Sequence, residues 1–305
     1  MTFNEELELK VKYIESVIEK YSPQGEKYAN TVINAMNYSL MGGGKRLRPL
    51  LMFEAYRLFG GEEDIIEPFM AAIEMIHTYS LVHDDLPCMD DDEYRRGRKT
   101  THAVYGEGMA VLAGDGLLNF AFETACKAFD KLNVLQDSEL SAKRIGNALQ
   151  ILAGKSGIYG MIGGQCADIE AEGVAAEKIT SERLLYIHSH KTSALIQNAL
   201  MVGAILAGAG ELDLAKIERC GYNVGVAFQI QDDILDVTST TEQLGKPVGS
   251  DEKNGKTTYV TINGLEKSKA DVKALSEEAA ELLKDLGEGN EFLSELIIYL
   301  VDRTK

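Results

Sequence analysis

Residues 67–92 have the sequence EPFMAAIEMIHTYSLVHDDLPCMDDD. The first part of this stretch, from Glu67 to Val82, is apolar on most faces of a helix, which predicts a helix at the centre of the fold. The second part is a run of acidic residues that begins at Asp84. Carboxylates at the C-terminal end of a helix face the negative end of its dipole, at a cost of roughly a few tenths of a kcal/mol each. The placement therefore indicates that something positive binds there.

A second acidic cluster lies about half a chain further on, at the end of a helical apolar run from Leu212 to Val237. Its Asp232 and Asp236 are four residues apart, so their carboxylates share one helix face, and Asp233 lies between them. Bare carboxylates at this spacing repel each other. A hard divalent cation between them turns the repulsion into a binding site.

The first cluster is spaced differently, because Asp84 and Asp90 have Pro87 between them. On a regular helix these two carboxylates would not share a face. We infer that the backbone loosens near Pro87 and lets both carboxylates point into one cavity.

Magnesium is the cation that suits two such clusters. It takes one or two carboxylates and completes its octahedron with waters and substrate phosphates. We therefore predict a phosphate-bearing substrate held through bridging Mg²⁺ ions, three in number. The alternative is a solvated acidic helix end, which two clusters, each preceded by an apolar helix and each near basic residues, argue against.

Basic residues accompany the acidic clusters. Lys45, Arg46 and Arg48 follow the triple glycine 42–44 at a predicted helix start, which is a ready anion site. The remaining candidates are Arg95, Arg96, Lys191, Lys246 and Lys256. A nucleotide P-loop is excluded, since Lys45 is followed by Arg46 rather than by Ser or Thr.

Helical periodicity continues along most of the chain. Further helices are predicted over 108–129, 138–153, 181–207, 267–286 and 291–301. There is no convincing strand pattern and no linker rich in Ser, Gly or Pro. We predict one all-α domain over residues 1–305, with roughly ten helices.

Composition excludes several classes of protein. The chain has 305 residues, 45% of them hydrophobic, and a formal net charge of −17, which argues against a nucleic-acid partner. Four cysteines without a C-x-x-C pair indicate free thiols in a reducing compartment. The charged N-terminus lacks the apolar core of a signal peptide, and the apolar segment 194–210 is too short to span a bilayer comfortably. We predict a cytoplasmic protein without a stable membrane span.

Taken in order, these residues resemble the signature motifs of the trans-prenyl diphosphate synthases, or polyprenyl synthetases. The matching segments are GGKRLRP at 43–49, HTYSLVHDD at 77–85, RRG at 95–97, GGQ at 163–165 with Asp168, HKT at 190–192, and FQIQDDILD at 228–236. The four-residue spacer and proline of the first cluster are similar to the bacterial and plant members of the family.

This resemblance implies an isoprenoid-synthase fold, in which helices surround a deep central cavity, and a homodimer. It also implies a reaction. An allylic diphosphate ionises to a carbocation and pyrophosphate, the double bond of isopentenyl diphosphate attacks the cation, and a proton leaves. A carbocation needs a dry, apolar pocket, and the apolar helices are suited to form one.

The resemblance also implies roles for individual residues. Magnesium ligands would be Asp84, Asp90 and Asp232, tuned through waters or neighbouring ligands by Asp85, Asp233 and Asp236. The isopentenyl diphosphate would be bound by Lys45, Arg48, His77 and Arg96. The allylic diphosphate would be held by Arg95, Lys191, Lys256 and, on a looser match, Lys246. Thr192 and Gln229 would place oxygens near the carbocation, so the catalytic set is Lys191, Thr192, Gln229 and Arg95.

Product length depends on the residues just before the first acidic cluster. Tyr79 lies five residues before Asp84, about 7–8 Å along a helix. A bulky ring there would act as the floor of the cavity, and an aromatic residue at this position resembles the bacterial farnesyl diphosphate synthases. Ser80 beside it is small, so the floor rests on Tyr79. We therefore expect farnesyl diphosphate as the product.

Three alternatives stay open. The nearest is a synthase of geranylgeranyl diphosphate. A terpene cyclase of the same fold would need no isopentenyl site, so Lys45, Arg48 and Arg96 speak against it. A non-catalytic partner subunit would often lack one acidic cluster, and this chain has both.

Overall fold

The computed structural model describes residues 1–134, 137–175, 178–238, 257–287 and 290–301. This part of the chain is mostly helical, with fourteen α-helices over the described ranges, which confirms the predicted all-α fold. The N-terminal helices are α1 (Phe3–Tyr21), α2 (Asn30–Leu40), α3 (Leu47–Leu58), α4 (Glu67–Asp84), α5 (Thr101–Tyr105), α6 (Glu107–Cys126) and α7 (Ser138–Ser156). The C-terminal helices are α8 (Met161–Ile169), α9 (Ser181–Ile187), α10 (Ser193–Ala207), α11 (Glu211–Thr238), α12 (Tyr259–Asn263), α13 (Leu265–Leu286) and α14 (Glu291–Val301).

Two helices form the interior of the bundle. Nearly every residue of α4 before His77 is buried, and α10 is buried from Ser193 to Leu206. Helix α4 packs against α6, α3 and α1, while α10 packs against α3, α11 and α7. Both acidic clusters end helices of this framework, because α4 ends at Asp84 and α11 ends two residues after Asp236. The predicted central helix over residues 67–82 is confirmed.

The structure corrects three details of the sequence analysis. The predicted helix over 181–207 is interrupted by a π-helical turn, His188–Thr192, between α9 and α10. The helix predicted over 108–129 ends at Cys126 and continues as a 3₁₀ segment. A short antiparallel hairpin pairs β1 (Tyr94–Arg95) with β2 (Arg98–Lys99), whose strands are too short to give an alternating pattern.

One helical stretch could cross a membrane by length and composition alone, among the residues described. It spans Asp64–Asp84, and 83% of its most apolar window is buried inside the protein. It includes the central helix α4, whose apolar surface is covered by its neighbours in the bundle.

Candidate active site

The first acidic cluster begins where α4 ends. Residues 85–90 form successive turns instead of helix, and the Asp90 amide donates to the Asp84 carbonyl oxygen at 2.8 Å. Asp91 follows in the left-handed region, with φ 53°. The predicted departure from the helix near Pro87 is confirmed, and it brings the backbone of Asp90 back to that of Asp84.

The Asp84 carboxylate is half-buried at the end of α4. Gln165 of α8 donates to Asp84 Oδ1 at 2.8 Å. Burial raises the pKa of Asp84 to about 6; Lys191 opposes the shift and Asp90 adds to it. Ionisation of the Asp84 carboxyl group therefore costs more free energy than it would in water, and a nearby cation would offset that cost.

Asp85 and Arg95 form an ion pair with each other. The Arg95 Nε and Nη2 atoms both lie 2.6 Å from Asp85 Oδ1. Burial raises the pKa of Asp85, and the guanidinium of Arg95 acts in the opposite direction. The structure thus joins a predicted metal-site carboxylate to a predicted diphosphate-binding arginine, so Arg95 is held in place by Asp85.

The second acidic cluster lies in the last two turns of α11. Asp233 and Asp236 are buried, and Asp233 Oδ2 accepts from the Tyr259 amide at 2.7 Å. His188 Nε2 lies 3.8 Å from the same oxygen, and burial lowers the pKa of His188 to about 4. Over the described ranges, no group of three His, Cys, Asp or Glu side chains converges closely enough to hold a metal ion by itself.

A cationic pocket of about 380 Å³ lies at the start of α3. It is lined by all four residues predicted to bind isopentenyl diphosphate: Lys45, Arg48, His77 and Arg96. Arg46 has another role, since its Nη1 donates to the buried Glu74 carboxylate at 2.8 Å and its Nη2 to the Leu40 carbonyl.

The electrostatics of this pocket favour an anion. Burial lowers the pKa of Arg48 to about 10, so the guanidinium stays charged at neutral pH. Burial lowers the pKa of His77 well below its ordinary value, and the positive charges of Arg48 and Arg96 lower it further. A diphosphate placed here would meet several N–H donors and relieve the repulsion between the cations.

The π-helical turn presents two predicted catalytic residues. Lys191 Nζ lies 2.5 Å from Asp168 Oδ2 on α8, and Thr192 Oγ1 donates to Gln229 Oε1 on α11 at 3.0 Å. Burial lowers the pKa of Lys191, but Asp168 outweighs it and the net shift is upward. A Cβ on Gly164 would lie 2.1 Å from the Lys191 nitrogen, so only glycine lets α8 approach this closely.

An apolar cavity of about 630 Å³ connects these groups. Its wall carries Tyr79, Ser80, Met89, Leu118, Met161, Ile162, Ile169 and Leu195. It shares Arg48 and His77 with the cationic pocket, and it is bordered by Asp84, Lys191 and Thr192. Lys191 and Thr192 also line a smaller pocket that contains Gln229 and Asp233. Lys246 and Lys256 lie outside the described residues.

Three residues of the site had no role in the sequence analysis. Gln165 and Asp168 stood inside a recognised motif, and the structure gives them contacts with Asp84 and Lys191 respectively. His188 lies beside Asp233, and its Nδ1 has no hydrogen-bond partner among the described residues. Only the packing of α9 and the π-turn against α11 reveals that contact.

The chain is similar to known proteins over most of its length. The polyprenyl synthetase family model matches residues 29–294. Dimethylallyltranstransferase of Fischerella ambigua is 43% identical over 291 residues, which cover 95% of this chain and 81% of that protein. Heterodimeric geranylgeranyl pyrophosphate synthase large subunit 2 of Arabidopsis thaliana is 41% identical over 275 residues, 90% of this chain and 70% of that protein.

Among solved structures, geranyltransferase from Helicobacter pylori, complexed with magnesium and isoprenyl diphosphate, has a TM-score of 0.80 at 31% identity. The match covers 99% of this chain and 97% of that chain. Fold and site together define a helical-bundle prenyltransferase. The chain belongs to the polyprenyl synthetase family, the trans-prenyl diphosphate synthases.

Proposed function

We propose that this enzyme condenses isopentenyl diphosphate with dimethylallyl and geranyl diphosphate, and that farnesyl diphosphate is its main product. The observation that carries the proposal is that the cationic pocket and the apolar cavity adjoin each other. Arg48 and His77 belong both to the cationic pocket and to the apolar cavity. A diphosphate group in the pocket therefore has its hydrocarbon end directed toward the cavity, where the allylic chain would lie.

The side chains divide the chemistry between them. Lys191 and Arg95 hold the allylic diphosphate and stabilise the charge that develops on it as the carbon–oxygen bond breaks. Thr192 and Gln229 place their oxygens near the carbocation. Lys45, Arg48, His77 and Arg96 fix the isopentenyl diphosphate so that its double bond faces the cation, which converts the encounter into an intramolecular step.

Magnesium fits the chemistry of the two acidic clusters, of which Asp84 borders the apolar cavity. Asp84, Asp90 and Asp232 would supply hard oxygen ligands, with Asp85, Asp233 and Asp236 beside them. Bound Mg²⁺ would neutralise the diphosphate as it leaves. The expected number of three ions stays a prediction.

Farnesyl diphosphate is proposed on the position of Tyr79. Its side chain is 6% exposed and lines the cavity on the α4 side, next to Ser80. Geranylgeranyl diphosphate is the second candidate, because the Arabidopsis relative bears that name. The two candidates differ only in where chain growth stops, so the product length separates them.

The first experiment is an incubation of the purified chain with isopentenyl and dimethylallyl diphosphates, with and without magnesium. Chromatography of the dephosphorylated products gives the chain length. Metal-dependent C15 product supports the whole proposal, and metal-dependent C20 product supports the condensation with the second candidate. No condensation would refute the proposed reaction and favour a cyclase or a non-catalytic subunit.

We also propose a homodimer and a cytoplasmic location. Ile158 and Tyr159, in the turn between α7 and α8, are 64% and 85% exposed, and Val111 and Leu112 of α6 are 41% and 49% exposed. A contiguous patch of such side chains is typical of a surface that a partner covers. Light scattering should give the mass of a dimer for the wild-type chain and of a monomer for an Ile158→Asp/Tyr159→Asp variant.

A further inference from the structure

The arginine hairpin, residues 94–99, carries Arg95 and Arg96 to two different places. Arg95 pairs with Asp85 beside the first acidic cluster. Arg96 Nη1 donates to the Gly43 carbonyl in the loop before α3, and Arg96 lines the cationic pocket. Arg95 is the last residue of β1 and Arg96 is the first residue of the turn, so one short hairpin serves both subsites.

The hairpin has little stability of its own. Each strand has two residues, and a pair of strands this short is marginal in water. The turn residues Arg96 and Gly97 both have positive φ, 53° and 74°. The left-handed region is unfavourable for an arginine, so Arg96 keeps this conformation only if contacts outside the hairpin hold it.

Tyr38 of α2 supplies two such contacts, in addition to those that Asp85 and Gly43 make with the hairpin. Its Oη donates to the Lys99 carbonyl at 2.8 Å, at the end of β2. The Arg98 guanidinium lies over its ring, 4.4 Å from the centroid. Tyr105 packs edge-on against the same ring, with centroids 5.6 Å apart. Tyr38 therefore contacts the backbone of one hairpin residue and the side chain of another.

We propose that Tyr38, with Arg98, is a positioning residue that holds the arginine hairpin so that Arg95 and Arg96 reach both diphosphate subsites. This inference rests on the proposed function. Tyr38 lines neither the apolar cavity nor the cationic pocket. Loss of the Tyr38 side chain should nevertheless weaken the binding of both substrates. Loss of the Arg96 side chain should weaken the binding of isopentenyl diphosphate alone.

The test uses the full chain and steady-state kinetics with each substrate varied in turn. Tyr38→Phe keeps the ring under Arg98 and loses one hydrogen bond, so KM should rise about fivefold for both substrates. Tyr38→Leu also loses the cation–π contact, and we expect a rise of about tenfold to thirtyfold. In both variants kcat should fall by no more than a similar factor, because Arg95 also stabilises the charge that develops on the leaving diphosphate.

Tyr28→Leu is the matched control, since Tyr28 is 86% exposed and should leave both KM values unchanged. If Tyr38→Leu raises the KM of only one substrate, the idea that Tyr38 positions the arginines of both diphosphate subsites is wrong. A fall in kcat and thermal midpoint with unchanged KM would also overturn that idea, because it would mark a purely structural role. If only the positioning role is wrong, the wild-type chain is still active. If the wild-type chain is inactive, both the proposed function and this inference are refuted.

Discussion

Replacing Tyr79 with alanine should lengthen the product. Tyr79 lies five residues before Asp84 on α4, about 7–8 Å along the helix axis. Its side chain lines the apolar cavity and is 6% exposed. The ring and hydroxyl that the substitution removes are together larger than the five carbons of one isoprenyl unit. A further unit would therefore find room in the variant that the wild-type cavity lacks.

The magnitude follows from packing energies. Forcing five extra carbons against the ring costs about 1–3 kcal/mol. Burying the same carbons in the freed space gains about 0.8 kcal/mol for each. Relief of the clash alone, about 2 kcal/mol, shifts the competition between product release and another condensation roughly thirtyfold, and the burial of the five carbons, about 4 kcal/mol in all, adds to it. We expect geranylgeranyl diphosphate to replace farnesyl diphosphate as the main product.

The variant should remain folded. Replacing a buried aromatic side chain by alanine costs about 3–5 kcal/mol. The Tyr79 hydroxyl is buried without a hydrogen-bond partner in the described structure, so its removal recovers about 1–3 kcal/mol. Tyr79→Phe separates the two effects, because it keeps the floor of the cavity. That variant should retain C15 product and gain about 1 kcal/mol in the free energy of unfolding.

The assay is chromatography of dephosphorylated products at equal turnover, with chemical denaturation as the check on folding. Ser80→Ala is the control, since it removes a single hydroxyl from the same wall and should leave the C15 share unchanged. A folded Tyr79→Ala enzyme with the wild-type product distribution would refute the idea that this ring ends chain growth.

Three further predictions concern the framework of the site. Arg46→Leu removes the guanidinium that pairs with the buried Glu74 carboxylate and should cost about 3–5 kcal/mol in the free energy of unfolding by urea. Arg46→Leu/Glu74→Leu should recover most of that loss, and equal losses in both variants would contradict this. The folded-state pKa of His77 is well below its ordinary value, so stability should be complete above about pH 6.5 and fall as the pH decreases below it. His77→Asn should flatten that profile in denaturation curves from pH 5 to 8, and an unaltered slope would exclude His77 as the cause. Gly164→Ala puts a Cβ 2.1 Å from a backbone nitrogen of the π-turn and should lower kcat at least tenfold, whereas Gly146→Ala in α7 has open space and should keep full activity.

Much of this protein was determined by local patterns in its sequence. The helical period of residues 67–82 and 212–237 marks α4 and α11, because apolar side chains must face the interior wherever the helix runs. Pro87 marks the end of α4 for a local reason as well, since it cannot continue the hydrogen-bond ladder. The family resemblance also grouped Lys45, Arg48, His77 and Arg96 as one binding set, and these four residues lie together at one pocket.

Contacts between distant segments were decided only by the tertiary structure. The pairs Asp85–Arg95 and Arg46–Glu74, and the contact of Tyr38 with Lys99, join residues whose distance depends on how α2, α3 and α4 pack. Lys191 and Thr192 look like part of one long helix in the sequence, yet they lie in a π-turn. Helix periodicity reports which face of a segment is buried, but it carries no information about which neighbour covers that face. For that reason the sequence predicts the parts of this site, and the packing of the helices decides which parts touch.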